Sequence, residues 1–236
     1  MTIPPPLPQR LRALADIHTH NKDNALGSDN APQALVSLRP EEAAAFTSAH
    51  PDALFSAGIH PWEPYVSQAD EDRRFAALEN ALTMKNAAAV GETGLDSLRG
   101  PEPRLQEERF RRHVVLSESM RLPLVIHMVK TQERILALRR ELRPSQPWII
   151  HGFRGKAAQA LQLASAGLYI SFGERFNPEA LAAVPALQRL AETDESALPI
   201  AGIIARQKVL TATRPRSEDS DHGRGRRDGV LPAHCS

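Results

Sequence analysis

Apolar residues in this chain come in short runs, and each run ends in polar or glycine-containing residues. Eight runs predict strands, at residues 13–18, 34–38, 54–59, 87–91, 124–127, 148–151, 167–172 and 189–192. Several, such as L-P-L-V-I-H and P-W-I-I-H, are almost continuously apolar, the pattern of strands covered on both faces. Between the later runs, apolar positions return at helical spacing. Residues 106–121 carry Phe110, Val114, Val115 and Met120, residues 131–142 carry Ile135, Leu138 and Leu142, and residues 156–166 carry Ala160, Leu161 and Ala164. Strand and helix in alternation predict parallel βαβ units, and eight of them favour a closed (β/α)₈ TIM barrel over an open sheet.

The pattern changes near the C-terminus. A last helix is expected over residues 200–210, with Ile200, Ile203, Ile204 and Val209 as its apolar members. From Thr211 onward charge is mixed with Gly, Pro and Ser. Such a segment cannot bury enough surface to offset the entropy of ordering it. The expected organisation is therefore a barrel domain over residues 1–210 and a disordered polar tail over residues 211–236.

Composition narrows the function classes. Of 236 residues, 29 are basic and 28 acidic, so no global electrostatic argument for nucleic acid exists and any such substrate needs a local basic patch. The single cysteine, Cys235, excludes an internal disulfide framework. The start, M-T-I-P-P-P-L-P-Q-R, lacks the apolar core of a signal peptide, and no stretch approaches the roughly 20 apolar residues of a membrane span. The expectation is a cytoplasmic protein with no membrane association and no obligate protein partner.

The chemistry gathers where the strands stop. The first strand leads into D-I-H-T-H, and residues two apart in a strand share a face, so His18 and His20 lie side by side. Glu92 follows the fourth strand, His127 ends the fifth, His151 ends the sixth, and Asp194 follows the eighth. Taken singly, each has an ordinary alternative: a solvated histidine pair, a buried histidine bonded to backbone, a helix-capping acid. In a βα barrel, however, all these strand ends converge on one face. Four histidines and two carboxylates there form a ligand set for zinc, manganese or a similar divalent ion, large enough for two ions about 3.5–4 Å apart.

In order and spacing, D-I-H-T-H, G-I-H-P, V-G-E-T-G-L-D, L-P-L-V-I-H, H-G-F-R-G, Y-I-S-F-G and E-T-D resemble the motifs of TatD-type metal-dependent hydrolases, a family often described as deoxyribonucleases. The resemblance runs from about Asp16 to Arg206. It implies a barrel of the amidohydrolase kind with divalent ions in its mouth. It also implies that His18, His20, Glu92, His127, His151 and Asp194 match the metal ligands, with Glu92 bridging two ions. The chain resembles a compact subgroup with short early loops. Lys130, in I-H-M-V-K, stands near the place of an arginine found in many relatives.

On this reading Asp194 orients a metal-activated water and accepts its proton, and Glu92 completes the catalytic pair. His60, in G-I-H-P, is a candidate for contacting substrate; the alternative is a structural histidine against Pro61 and Trp62. Lys130, Arg154 and Arg175 follow strands five, six and seven and would meet a phosphate at the same mouth, or else be solvated loop charges. His50, His113, His222 and His234 fit no strand-end pattern and receive no role. The expected substrate is a phosphodiester in DNA, cut from an end because aromatic content is only 5%. A small-molecule amide, ester or phosphoester suits the same mouth. A third possibility is an inactive or binding-only product. Relatives continue after E-T-D with apolar helices that close the barrel, and without them the outer faces of the first and last strands would be partly uncovered.

Overall fold

The computed structural model describes residues 2–28, 31 and 33–212, with side chains as far as residue 209. Eight parallel strands run in sequential order: β1 (Asp16–Thr19), β2 (Ala34–Leu38), β3 (Leu54–Ala57), β4 (Ala87–Asp96), β5 (Leu124–Val129), β6 (Trp148–Ile150), β7 (Tyr169–Phe172) and β8 (Arg189–Ala191). A parallel bridge between Thr19 and Asp194 joins the first and last edges, making a nearly closed barrel. Eight helices accompany the strands: α1 (Gln9–Arg12), α2 (Ala43–Ala49), α3 (Gln68–Leu82), α4 (Pro103–Met120), α5 (Gln132–Leu142), α6 (Ala157–Ser165), α7 (Pro178–Ala183) and α8 (Ile200–Ala212). Between β1 and β2 stands only a short 3-10 turn, Lys22–Asn24.

The apolar runs are continuous because each strand serves two cores. Leu35, Val125, Ile149 and Tyr169 join Leu7, Leu11 and Ile17 in one buried cluster. Their strand neighbours Val36, Leu124, Ile126, Trp148, Ile150, Ile170 and Phe172 join the helices' Phe75, Phe110, Ile135 and Leu163 in the other. A single-residue slip would exchange the two sets. Each such side chain contributes roughly 1.5–3 kcal/mol on burial, so the alternation specifies register as well as stability. The N-terminal segment is tied to the barrel by the Tyr169 hydroxyl, which donates to the Pro5 carbonyl at 3.0 Å, and by the Thr2 amide, which donates to the Ser165 carbonyl at 2.8 Å.

Several expected boundaries move. The first strand begins at Asp16, because residues 9–12 coil into α1 and bury Leu11. The fourth does not stop at Gly91 but continues to Asp96. Its glycines permit that: Gly91 and Gly94 have φ of +129° and +152°, and a Cβ on either would stand 2.4 Å from the Val125 carbonyl oxygen or 2.0 Å from that of His127. Only glycine lets β4 lie this close to β5. Helices α2, α3 and α7 were not anticipated; α3 starts at a Ser67 cap whose hydroxyl accepts from the Asp70 amide. Val115, Leu161 and Val209, expected on buried faces, are 67%, 49% and 61% exposed, while Leu116, Leu163 and Ile203 take the inward positions.

All four residues of β1 are buried, and α8 packs on β8 and α7 with Ile200 and Ile203 inside. The first two residues of the expected tail belong to α8, and the rest, from residue 213, lie outside the described residues. Among the described residues no helix is long and apolar enough to cross a membrane.

Candidate metal centre

The barrel mouth is organised around the carboxylate of Glu92, which is 5% exposed. Its Oε1 lies 2.7 Å from His151 Nε2, 2.8 Å from His127 Nδ1 and 3.0 Å from His60 Nε2. Its Oε2 lies 3.4 Å from Nε2 of both His18 and His20. One carboxylate on a glycine-flanked strand thus faces five imidazoles from four other strand ends. Asp194 closes the far side, with Oδ1 3.9 Å from His18 Nε2 and 3.7 Å from His20 Nε2. Its backbone is fixed by the seam: the Asp194 amide donates to the His18 carbonyl at 2.9 Å, and its own carbonyl accepts from the His20 amide at 3.1 Å. All six expected ligands meet here, although β1 carries a register irregularity between Asp16 and Thr19.

The charges are coupled. Burial alone would raise the Glu92 carboxyl; His151, His127 and His18 override it and hold the group well below the usual carboxylate range. His18, fully buried, is pushed down by desolvation and then by neighbouring His151. His20 is raised, chiefly by its approach to Glu92. For His151 burial works downward, but Glu92 and Glu192 on either side raise it well above its ordinary value.

Ring tautomers sort the histidines further. The Trp62 amide donates to His60 Nδ1 at 3.1 Å, so the neutral ring carries its proton on Nε2 and donates it to Glu92. His60 therefore steadies the carboxylate. His18 is different, because neither of its buried ring nitrogens makes a hydrogen bond. A buried, unsatisfied imidazole nitrogen is costly unless a cation takes its lone pair. Four triads have ligand atoms within 4.8 Å of one another: His18–Glu92–His151, His18–His20–Asp194, His60–Glu92–His127 and His151–Glu192–Asp194. Neutral imidazole nitrogens mixed with carboxylate oxygens fit zinc- or manganese-type ions.

Three acids around the mouth escaped the sequence reading. Glu192, fully buried, accepts from the Gly152 amide at 2.6 Å and sits 3.7 Å from His151 Nδ1. Asp96 faces His127 Nε2 at 3.2 Å, flanking that ring on the side away from Glu92. Asp16 accepts from the Thr193 hydroxyl and amide at 2.6 and 3.0 Å and from the His18 amide at 3.2 Å; burial nevertheless pushes its carboxyl up to about 6. Period two in an extended strand was the available signal, since Glu192 precedes Asp194 by two residues and Asp96 follows Glu92 by four.

The candidate substrate cations divide. Arg154 and Arg175 line a cavity of about 400 Å³ together with Gly152, Glu192 and Asp194. Lys130 is exposed just past β5, with φ of +54°, and does not line that cavity.

Comparison with known proteins places this geometry in a lineage. The family model described as TatD related DNase matches residues 16–203. The uncharacterized metal-dependent hydrolase YcfH of Escherichia coli K12 is 32% identical over 126 residues, 51% of this chain and 44% of that protein. A Klebsiella pneumoniae protein named 3'-5' ssDNA/RNA exonuclease TatD is 29% identical over 154 residues, 59% of this chain and 56% of that one. This chain therefore spans about half the length of these curated relatives. The crystal structure of YJJV, a TatD homolog from E. coli K12, superposes with a TM-score of 0.66 at 21% identity, covering 86% of this chain and 91% of that one. This chain belongs to the TatD-related DNase family.

Proposed function

We propose that this member of the TatD-related family is a divalent-metal hydrolase that cuts phosphodiesters in nucleic acid, working on DNA from an end. The observation that carries the reading is the Glu92 carboxylate, whose two oxygens face two different sets of imidazoles. His18, His20, Glu92, His127, His151 and Asp194 would hold the ions, with Glu92 shared between two. Ions bound there would lower the pKa of water from 15.7 to about 7 and draw negative charge from a phosphoryl oxygen.

The chain's own residues do the rest. Asp194, one quarter exposed and fixed by its backbone to both β1 histidines, orients the attacking water and takes its proton at Oδ1. His60 gives its Nε2 proton to Glu92 and borders the substrate with its partly exposed edge. Arg154 and Arg175 bind a phosphate in the cavity beside Asp194, and Lys130 adds positive charge at the rim. The name of the Klebsiella relative supports nucleic acid as the substrate.

The test is to incubate metal-loaded protein with 3′-labelled and internally labelled single-stranded DNA, alongside amide, ester and small phosphoester panels. Progressive loss of the end label supports the reading. Turnover of amides or carboxylic esters without any phosphodiester cleavage overturns it.

A further inference from the structure

Beside the metal mouth lies a flat surface that the proposed chemistry leaves unused. Trp62 follows His60 in the β3–α3 connection and is 43% exposed, unlike the fully buried Trp148. Its indole N–H donates to Asp96 Oδ2 at 2.7 Å, and the same carboxylate oxygen faces His127 Nε2 at 3.2 Å. One acid therefore fixes the plane of an exposed aromatic ring relative to a candidate metal ligand. The ring edges meet His60 and His127 with centroids 4.6 and 5.4 Å away. Over its face, 4.7 Å from the centroid, lies the guanidinium of Arg99. Arg99 forms no ion pair with the described residues.

The ledge carrying Arg99 is held firmly. Asp96 Oδ1 accepts from the Leu98 and Arg99 amides at 2.7 and 3.2 Å. Buried Gln106 donates to the carbonyls of Asp96, Arg99 and Pro101 and accepts from the Asp96 amide. So much backbone bonding beneath an exposed Leu98 (66%) and an unpaired cation is hard to ascribe to packing. It suits a preorganised recognition surface.

We infer that Trp62 and Arg99 form a nucleobase-stacking platform, which seats the base next to the scissile phosphate and makes nucleotides the substrate class of this site. Indole and guanidinium both stack on bases, and a positive charge at the same spot suits the adjoining backbone. This inference rests on the phosphodiester reading above. It names the group recognised, and it separates nucleic acid from baseless phosphoesters.

The test exploits the two tryptophans. A non-hydrolysable phosphorothioate thymidine tetramer, titrated into metal-loaded protein, is expected to quench Trp62 emission saturably. An abasic tetramer of equal charge is expected to leave it unchanged. In kinetics on the hydrolysable tetramer, Trp62→Leu and Arg99→Gln are each expected to raise KM roughly tenfold, within the range for base stacking, with kcat within about twofold. Trp62→Phe, which keeps a ring but loses the bond to Asp96, is expected to recover most of that loss. Equal quenching by the abasic tetramer, or no quenching by either, overturns the platform. So does a Trp62→Phe variant as impaired as Trp62→Leu, since the role would then be the hydrogen bond. Quenching is read without turnover, so a protein that binds the tetramer yet cuts no phosphodiester refutes the hydrolase reading and leaves the platform standing.

Discussion

Glu92 and Asp194 flank the His18–His20 pair, Glu92 Oε2 standing 3.4 Å from both Nε2 atoms and Asp194 Oδ1 standing 3.9 and 3.7 Å from the same two. The two acids are not equivalent. Glu92 is enclosed by rings, whereas Asp194 keeps a quarter of its side chain in solvent. That division is what a shared ligand and a proton acceptor require.

Replacing Asp194 by Asn should therefore separate chemistry from structure. The backbone bonds that place the residue are unchanged, and an amide cannot take the proton. We expect kcat to fall by about 10²–10⁴ with little change in KM, the range for losing a general base. A loss below tenfold would move the proton acceptor elsewhere.

The seam between β1 and β8 gives a second prediction. The Thr193 hydroxyl donates to Asp16 at 2.6 Å and lies 2.8 Å from the Thr19 hydroxyl, all of it buried. Thr193→Val removes a donor to a buried carboxyl and should cost about 2–3 kcal/mol, or roughly 4–10 °C in Tm. Thr193→Ser, which keeps the hydroxyl, should cost less than about 1 kcal/mol. Equal losses would point to the methyl group instead of the hydrogen bond.

His113 predicts a pH dependence. Its Nε2 accepts from the Ile59 amide at 2.9 Å and its Nδ1 donates to the Arg109 carbonyl at 2.7 Å, so the native ring is neutral. Burial pushes it down from 6.5 to about 4. Between those values the unfolded chain binds a proton that the native state refuses, so this contribution is full above pH 6.5 and lost as pH falls toward 4. Asp16, raised to about 6, acts oppositely: the native state takes up its proton first as pH falls. The clean readout is the stability gap to His113→Gln, measured by urea unfolding. It should narrow by about 2 kcal/mol from pH 7 to pH 5. A gap independent of pH would mean the ring is charged or exposed in the native state.

Much of this architecture was legible in the sequence, for identifiable reasons. Strands with apolar side chains on both faces leave unbroken runs, so β2, β5 and β6 stood out. Polar residues at the ends of such runs are conspicuous, which is why His18, His20, Glu92, His127, His151 and Asp194 could be collected. Gly91 and Gly94, by contrast, read as a stop but are the means by which β4 continues toward Asp96. Short α2 and α7 carry too few turns for a period to show. The role of His113 depends on two partners, Ile59 and Arg109, that only the fold brings to it.

Arg154 and Arg175 predict a salt effect. If each neutralises one phosphate in the cavity beside Asp194, the double variant Arg154→Gln, Arg175→Gln should raise KM for single-stranded DNA. It should also flatten the slope of log KM against log salt by about one unit. An unchanged slope would show that these are solvated loop charges.

The central claim is that the mouth around Glu92 holds metal. Its most direct test is elemental analysis of protein purified without chelators, set beside the Glu92→Ala, Asp194→Ala double variant with its fold checked by circular dichroism. The account predicts about one to two equivalents of zinc, manganese or a similar ion in the intact chain and a near-complete loss in the folded variant. A folded protein that carries no metal and takes up none on addition would contradict it.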